Sequence, residues 1–298
     1  MSTIVIQTQG LSKHYGDFVA LRDLNLTVYA GEIFGYLGPN GAGKTTTIRT
    51  LLDIIRPSAG SATIFSKDIR QDSVKIHAQL GYLPSEMTFY ENMTARQYVR
   101  FLERARRTSC MAEAERLAQR LDFDLNRSLE GLSTGNKRKI GIITTLMHRP
   151  PLLILDEPTS GLDPLMQQVF NELVREVQNE GRTIFLSSHN LNEVQALCDR
   201  VGILRQGELT DVESVDKLTR LSFRWVHLEF AEAVDARAFE QLSGVSHLQA
   251  DTTKVKLQVT GDMDALIKLA AQHTICDIRV EDPTLEEIFL KYYGRDNA

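Results

Sequence analysis

No stretch of this chain approaches the run of about 18 consecutive apolar residues that a membrane-spanning helix needs, so nothing in it reads as a bilayer span. Cysteine is scarce: Cys110, Cys198 and Cys276 stand far apart, with no metal-like spacing. That leaves no cysteine-held metal site and points to a reduced, intracellular compartment. The opening MSTIVIQTQG has neither a basic leader nor a long apolar core, and reads as no signal peptide. Positive charge is not in excess either. The net charge of −5 argues against bulk nucleic-acid binding. What is present suits a globular chain: 298 residues, 42% hydrophobic and 24% charged, enough for one large domain or two ordinary ones.

Residues 38–45 read GPNGAGKT and fit G-x-x-x-x-G-K-[ST], with Gly38, Gly43, Lys44 and Thr45 at the fixed positions. Consecutive backbone N–H groups can wrap a phosphate chain only where no Cβ clashes, which the glycines allow. Lys44 adds a point charge for the β- and γ-phosphates, and the Thr45 hydroxyl is placed to ligate Mg²⁺. Pro39, Asn40, Gly41, Ala42 and Thr46 complete the expected cradle. EIFGYL before the loop reads as a buried strand. TTTIRTLLDII after it reads as a helix whose N-terminal dipole faces the phosphates. The motif implies a bound nucleoside triphosphate.

The flanking pattern is one of alternation. Residues 1–30 suggest short antiparallel strands. From about Ser85 to Leu129, ARQYVRFLERARRT and MAEAERLAQRL carry apolar residues at helical spacing, predicting a helical insert set at about residues 85–145. LLILDEP reads as a strand buried on both faces, PLMQQVFNELVREVQNEG as a helix closed by Gly181, and TIFLSSH as the next strand. Such alternation implies a largely parallel sheet covered by helices on both faces. Beyond about residue 220 the pattern restarts as β-α-β-β-α-β, the order of a ferredoxin-like split unit. Its elements are FRWVHLEF, DARAFEQL, VSHLQA, KVKLQV, DMDALIKLAAQ and CDIRVE, with TLEEIFLKYYG as a final helix after Pro283. The expected fold is therefore an α/β P-loop NTPase cassette over residues 1–220, with an antiparallel N-terminal β part. A small α+β, ferredoxin-like domain follows over residues 221–298.

A phosphate loop serves many ATPases and GTPases, and four further elements narrow the choice. Asp156, at the mouth of a buried strand, suits a water-mediated Mg²⁺ contact, and Glu157 suits polarising an attacking water. Two capping acids at a strand–helix turn are the plainer alternative. SGLDP, Ser160 to Pro164, is by itself an ordinary Asx-type turn. His189 ends another strand on the same expected edge, where a γ-phosphate contact competes with a structural role. In LSTGNKRK, Ser133 supplies a hydroxyl and Gly135 an unhindered backbone N–H at the start of a helix, where an anion belongs. As a lone feature, Ser133 is equally an N-cap.

In this order, GPNGAGKTT, LSTGN, LLILDEPTSGLD and SSH resemble the ATPase subunit of an ATP-binding cassette (ABC) transporter over at least residues 1–210. GYLPSEMTFY and DPTLEEIFLKYYG resemble the separate ATPase subunits of bacterial drug and antibiotic exporters. The resemblance implies that ATP is sandwiched between the phosphate loop of one subunit and the signature of a second, most simply in a homodimer. Ser133 and Gly135 would then complete a γ-phosphate cage begun by Lys44 of the other copy. Glu157 would serve as base or water-positioner, and His189 would steady the γ-phosphate. Tyr15 occupies the place where the family stacks an aromatic on adenine, with simple hairpin packing as its alternative. The chain also departs from the family. A glutamine usually follows the GYLP-like strand, where this chain has Ser85 with Glu86 beside it. Thr134 and Asn136 replace the usual signature residues, while Gly135 keeps the backbone donor. The arginines at 96, 100, 104, 106 and 107 read as a solvated face, or as a surface near anionic lipid or permease loops.

The expected function is a cytoplasmic subunit that hydrolyses ATP to ADP and phosphate. It would sit peripherally on the inner face of the cell membrane through a separate integral-membrane permease, powering export of a drug, antibiotic, lipid or similar substrate. The alternative is a soluble cassette ATPase acting in DNA repair, on the ribosome or in regulation. One cassette without a coiled-coil or zinc insertion speaks against that, and no nucleic acid is expected.

Overall fold

The computed structural model describes residues 3–90, 92–220, 223–283 and 287. The chain divides into two compact units, Met1–Glu213 and Ser214–Ala298, a little before the boundary at 220 expected from the pattern. In the first unit a long strand, Ile4–Tyr15 (β1), pairs antiparallel with Phe18–Leu24 (β2), Thr27–Tyr29 (β3) and Ala59–Ile64 (β5), and Lys67–Asp68 (β6) pairs with β5. A second sheet is formed by Ile33–Leu37 (β4), Leu80–Leu83 (β7), Leu152–Asp156 (β8), Thr183–Ser188 (β9), Arg200–Arg205 (β10) and Glu208–Ser214 (β11). Its order is β11-β10-β4-β9-β8-β7, and the β10-β4, β4-β9, β9-β8 and β8-β7 pairings are parallel.

Every residue of β4, β8 and β9 is buried, as apolar runs covered on both faces must be. Leu37 pairs with Ser188 and Asp156 with Ser187, so the carboxyl ends of three strands lie level. Around this sheet run Lys44–Leu51 (α1), Ser73–His77 (α2), Ala95–Arg106 (α3), Met111–Arg120 (α4), Thr134–Leu146 (α5), Pro164–Asn179 (α6) and Leu191–Leu197 (α7). The rings of Phe34 and Phe185 stack at 5.9 Å, and the Tyr36 hydroxyl meets that of Thr47 at 3.1 Å, tying α1 to the sheet.

Helices α3, α4 and α5 fill the expected helical insert. A capping box starts α3: Thr94 accepts the Gln97 N–H, and the Gln97 side chain accepts the Thr94 N–H. Arg96 is paired with Glu115 at 2.5 Å, whereas Arg100, Arg104 and Arg107 are exposed.

The second unit holds Val215–Arg220 (α8), Arg224–Phe230 (β12), Ala236–Glu240 (α9), Val245–Asp251 (β13), Lys254–Val259 (β14), Asp264–Ala270 (α10) and Ile275–Glu281 (β15). From β12 onward the order is β-α-β-β-α-β. The sheet runs β13-β14-β12-β15, antiparallel throughout. Val226, Leu228 and Phe230 alternate with half-buried Trp225, His227 and Glu229, and pack with Phe239, Val255, Leu257 and Leu266 into a one-sided core. The helix expected after Pro283 lies outside the described residues except for Glu287, whose carboxylate accepts the Trp225 indole N–H at 2.9 Å.

His148 sits where α5 turns toward β8, its Nε2–H donating to the Leu80 carbonyl at 3.3 Å. Burial, and then the Arg106 charge, hold the ring neutral, with a pKa lowered from 6.5 to about 4. Between those values the unfolded chain binds more protons than the folded one, so stability falls as pH drops through that window and is unaffected above it. Melting temperatures taken from pH 7 to pH 4 should therefore fall less steeply for His148→Leu than for the native chain. Parallel curves would contradict this.

Candidate active site

The turn from β4 into α1 makes the phosphate loop. A Cβ on Gly38 would lie 2.4 Å from the Leu204 carbonyl oxygen, and one on Gly43, at φ +110°, would lie 2.7 Å from that of Ala20. Both positions therefore need glycine. Lys44 is buried and folds back over the loop, its Nζ donating to the carbonyls of Gly38 at 2.6 Å and Pro39 at 3.3 Å. The same Nζ lies 3.2 Å from Glu157 Oε1, an ion pair without the alignment of a hydrogen bond. A cleft of about 410 Å³ opens here. It is lined by Pro39, Asn40, Gly41, Gly43 and Lys44 to Thr46, by Phe18 and Ala20 of β2, and by Ser85 and Glu157. Gly38 and Ala42 are buried behind it and do not line it.

Asp156 ends β8 fully buried and accepts two hydroxyl protons: Thr45 Oγ1 donates to Oδ2 at 3.0 Å and Ser187 Oγ to Oδ1 at 2.5 Å. The next residue, Glu157, takes a left-handed backbone, φ +50°, at a cost of about 1 kcal/mol for a residue with a Cβ. Its N–H donates to the Ser187 carbonyl at 3.1 Å, which holds that turn against β9. The Glu157 carboxylate then spans two partners, Lys44 on one oxygen and His189 Nδ1, at 2.7 Å, on the other. His189 itself is more than half exposed. The neighbouring Ser188 hydroxyl donates to Glu193 Oε2 at 2.6 Å, anchoring the strand end, and burial pushes the Glu193 carboxyl up.

Ser133 caps α5, accepting the Asn136 backbone N–H at 3.4 Å and its side-chain N–H at 2.9 Å, so the capping role is filled. The residue is nonetheless exposed, and neither it nor Gly135 lines the cleft. Gly135 packs on the SGLDP turn, where a Cβ would come 3.0 Å from the Gly161 carbonyl. Asp163 of that turn caps α6, accepting the Met166 N–H at 2.9 Å, with Pro164 in the first helical position.

Tyr15 stands opposite Phe18 across the β1–β2 hairpin, half-exposed, with Lys13 Nζ 4.9 Å above its ring. Phe18, not Tyr15, lines the cleft. Of the two residues at the glutamine position, Ser85 lines the cleft, whereas Glu86 faces a separate hollow of about 210 Å³ with Met87, Phe89 and Tyr98. Two residues that the pattern did not single out meet the site: Phe18 lines the cleft and Ser187 donates to Asp156. The place of Ser187 two residues before His189 was the one available hint. A second hollow of about 420 Å³ on the C-terminal sheet is lined by charges of both signs, among which Lys254 pairs with Glu229 and Arg279 with Asp277, while Lys256 lies over the Trp225 ring.

A family model for ABC transporters matches residues 21–160. The linearmycin resistance ATP-binding protein LnrL of Bacillus subtilis (strain 168) is 30% identical, the match covering 98% of this chain and 99% of that protein. This chain belongs to the ABC transporter ATP-binding family. The bacitracin transport ATP-binding protein BcrA of Bacillus licheniformis is 32% identical over 99% of this chain and 98% of its own length. A solved ATP-binding subunit of an ABC transporter superposes with a TM-score of 0.67 at 30% identity, covering 72% of this chain and 92% of that one. A bacterial Atm1-family ABC exporter with ATP bound gives 0.66 at 26% identity, covering 73% of this chain and 40% of that one. The expected cassette fold is thus the observed one. The protein is an ATPase subunit whose hydrolysis of ATP is coupled to transport, and the repair and ribosomal alternatives are not favoured. Among the described residues no helix is long and apolar enough to cross a membrane.

Because the contact behind Gly38 is backbone, Gly38→Ala must displace either the phosphate loop or the β10 strand end. Denaturant unfolding without nucleotide should show a loss of about 2 kcal/mol. A loss under about 0.5 kcal/mol would mean that the strand end yields freely.

Proposed function

We propose that this chain binds ATP with Mg²⁺ in the cleft at Pro39–Thr46 and hydrolyses it when a second copy closes over the nucleotide. It would thereby drive an integral-membrane permease from the cytoplasmic side. The observation that carries this reading is the Lys44–Glu157–His189 chain of contacts, in which the Glu157 carboxylate meets the Lys44 ammonium at 3.2 Å and the His189 imidazole at 2.7 Å, with Lys44 and Glu157 lining the cleft. The loop N–H groups and Lys44 hold the β- and γ-phosphates, and the N-terminus of α1 adds its dipole. Thr45 and Asp156 offer hard oxygens 3.0 Å apart, a donor pair that fits Mg²⁺. Among the described residues no cluster of three or more His, Cys, Asp or Glu competes for a metal. When bound, Mg²⁺ neutralises charge on the phosphates. Glu157 orients the attacking water and accepts its proton, and His189 holds the Glu157 carboxylate in place while steadying the γ-phosphate.

The second copy enters through Ser133 and Gly135. They stand at the N-terminus of a long helix, apart from their own chain's cleft, which suits an anion bound by the partner. Tyr15 and Phe18 flank the adenine side, with Phe18 nearer the cleft. The similarity to LnrL, a linearmycin resistance ATP-binding protein, and to BcrA, a bacitracin transport ATP-binding protein, supports a drug, antibiotic or similar substrate leaving the cell. Residues 1–220 form the working cassette in this reading. Residues 221–298 form a ferredoxin-like accessory domain, supported by the sheet order β13-β14-β12-β15 and its antiparallel pairings.

Glu157→Gln should lower ATP turnover by about 100-fold or more. Nucleotide binding should persist, and the stalled chain should elute as a dimer in ATP and as a monomer in ADP. Turnover at the native rate would remove Glu157 from the role of base, and a chain that stays monomeric in ATP would count against the sandwich.

A further inference from the structure

Arg138 lies in the second turn of α5, 3% exposed, and its guanidinium donates to three backbone carbonyls from two distant segments. Nη1 reaches Pro84 O at 2.8 Å, Nη2 reaches Ser85 O at 2.6 Å, and Nε reaches Ser160 O at 3.2 Å. None of the three partners is a carboxylate. The Asp156 and Glu157 charges favour the guanidinium from further off, against the burial that disfavours it. A buried charge held only by carbonyls is a poor way to gain stability, since an apolar side chain of similar size commonly does as well. What the guanidinium does offer is a rigid planar fork that fixes several acceptors relative to one another.

The segments it fixes are the working ones. Ser85 lines the nucleotide cleft. Ser160 donates its N–H to the Glu157 carbonyl at 3.2 Å, and the adjoining Gly161 packs on Gly135. Arg138 itself rides on the helix that begins at Ser133. We propose that Arg138 is a positioning residue that couples nucleotide occupancy in this chain's own cleft to the placement of the Ser133–Gly135 surface offered to a second copy. The inference rests on the sandwich reading above. A nucleotide that shifts Ser85 moves the Arg138 fork, and with it the N-terminus of α5 and the SGLDP turn, as one body.

The test uses the full chain carrying Glu157→Gln, alone and with Arg138→Lys or Arg138→Met. ATP affinity is read by fluorescent-nucleotide titration at high dilution, and dimerisation by sedimentation in ATP. Both double variants should bind nucleotide within about twofold of the parent, yet need at least about tenfold more protein to dimerise, the size of a typical coupling between sites. Lysine should not rescue, because one ammonium cannot hold the three carbonyls. Double variants that dimerise like the parent would overturn the proposal. A parent that never dimerises would instead overturn the sandwich. Should the variants fail to fold, hydrogen exchange on the dilute Glu157→Gln monomer decides. ATP should slow exchange at residues 85–88, 134–139 and 160–163 together, and protection confined to the phosphate loop would overturn the coupling.

Discussion

The parallel register of β4, β9 and β8 is the constraint on which the active end depends. With Leu37 beside Ser188 and Asp156 beside Ser187, the phosphate loop, the acidic pair and the histidine emerge at one level of the sheet. A slip of one residue would turn Asp156 to the opposite face and out of reach of Thr45. Complete burial of these strands makes such a slip costly, because it would also exchange apolar side chains between two filled layers. The two hydroxyls on Asp156 then stitch α1, β8 and β9 together at their ends. Rigidity there matters more than affinity, since the groups that meet phosphate and water must already be in place when they arrive.

Away from that edge, the start of α5 is the part that the sandwich reading would have completed from outside. The start of α5 points an exposed hydroxyl and a small residue away from its own cleft, while the body of the same helix is buried against the insert and the sheet. A helix end built this way would suit an anion brought by a second copy. The catalytic side and the signature side are consequently separate in the chain, joined through the Pro84–Ser85 segment, the Ser160–Gly161 turn and the arginine between them.

Much of this was legible in the linear order. GPNGAGKT, LLILDE and TIFLSSH are contiguous, and each specifies a strand end and the residues it carries, so Lys44, Thr45, Asp156, Glu157 and His189 could be named and fall together in space. The helical insert followed from apolar spacing, whereas its capping box at Thr94 and Gln97 emerged only from the structure. The parts that escaped depend on pairings between distant segments. Arg138 reads as one more base in NKRK, because its partners are backbone carbonyls that leave no trace in residue identity. Ser187 gains its role only from strand register. The hairpin aromatic lining the cleft is Phe18, since the turn at Gly16 and Asp17 brings it, more than Tyr15, to the loop.

The ion pair between Lys44 and Glu157 has one more consequence. Glu157 is the counter-ion of Lys44 within the cleft, so a stray anion gains little there. On the nucleotide reading proposed above, a γ-phosphate would compete with the Glu157 carboxylate for Lys44 and leave that carboxylate on His189 alone, whereas ADP, which lacks it, would let the pair re-form. The lysine would then gauge the length of the phosphate chain.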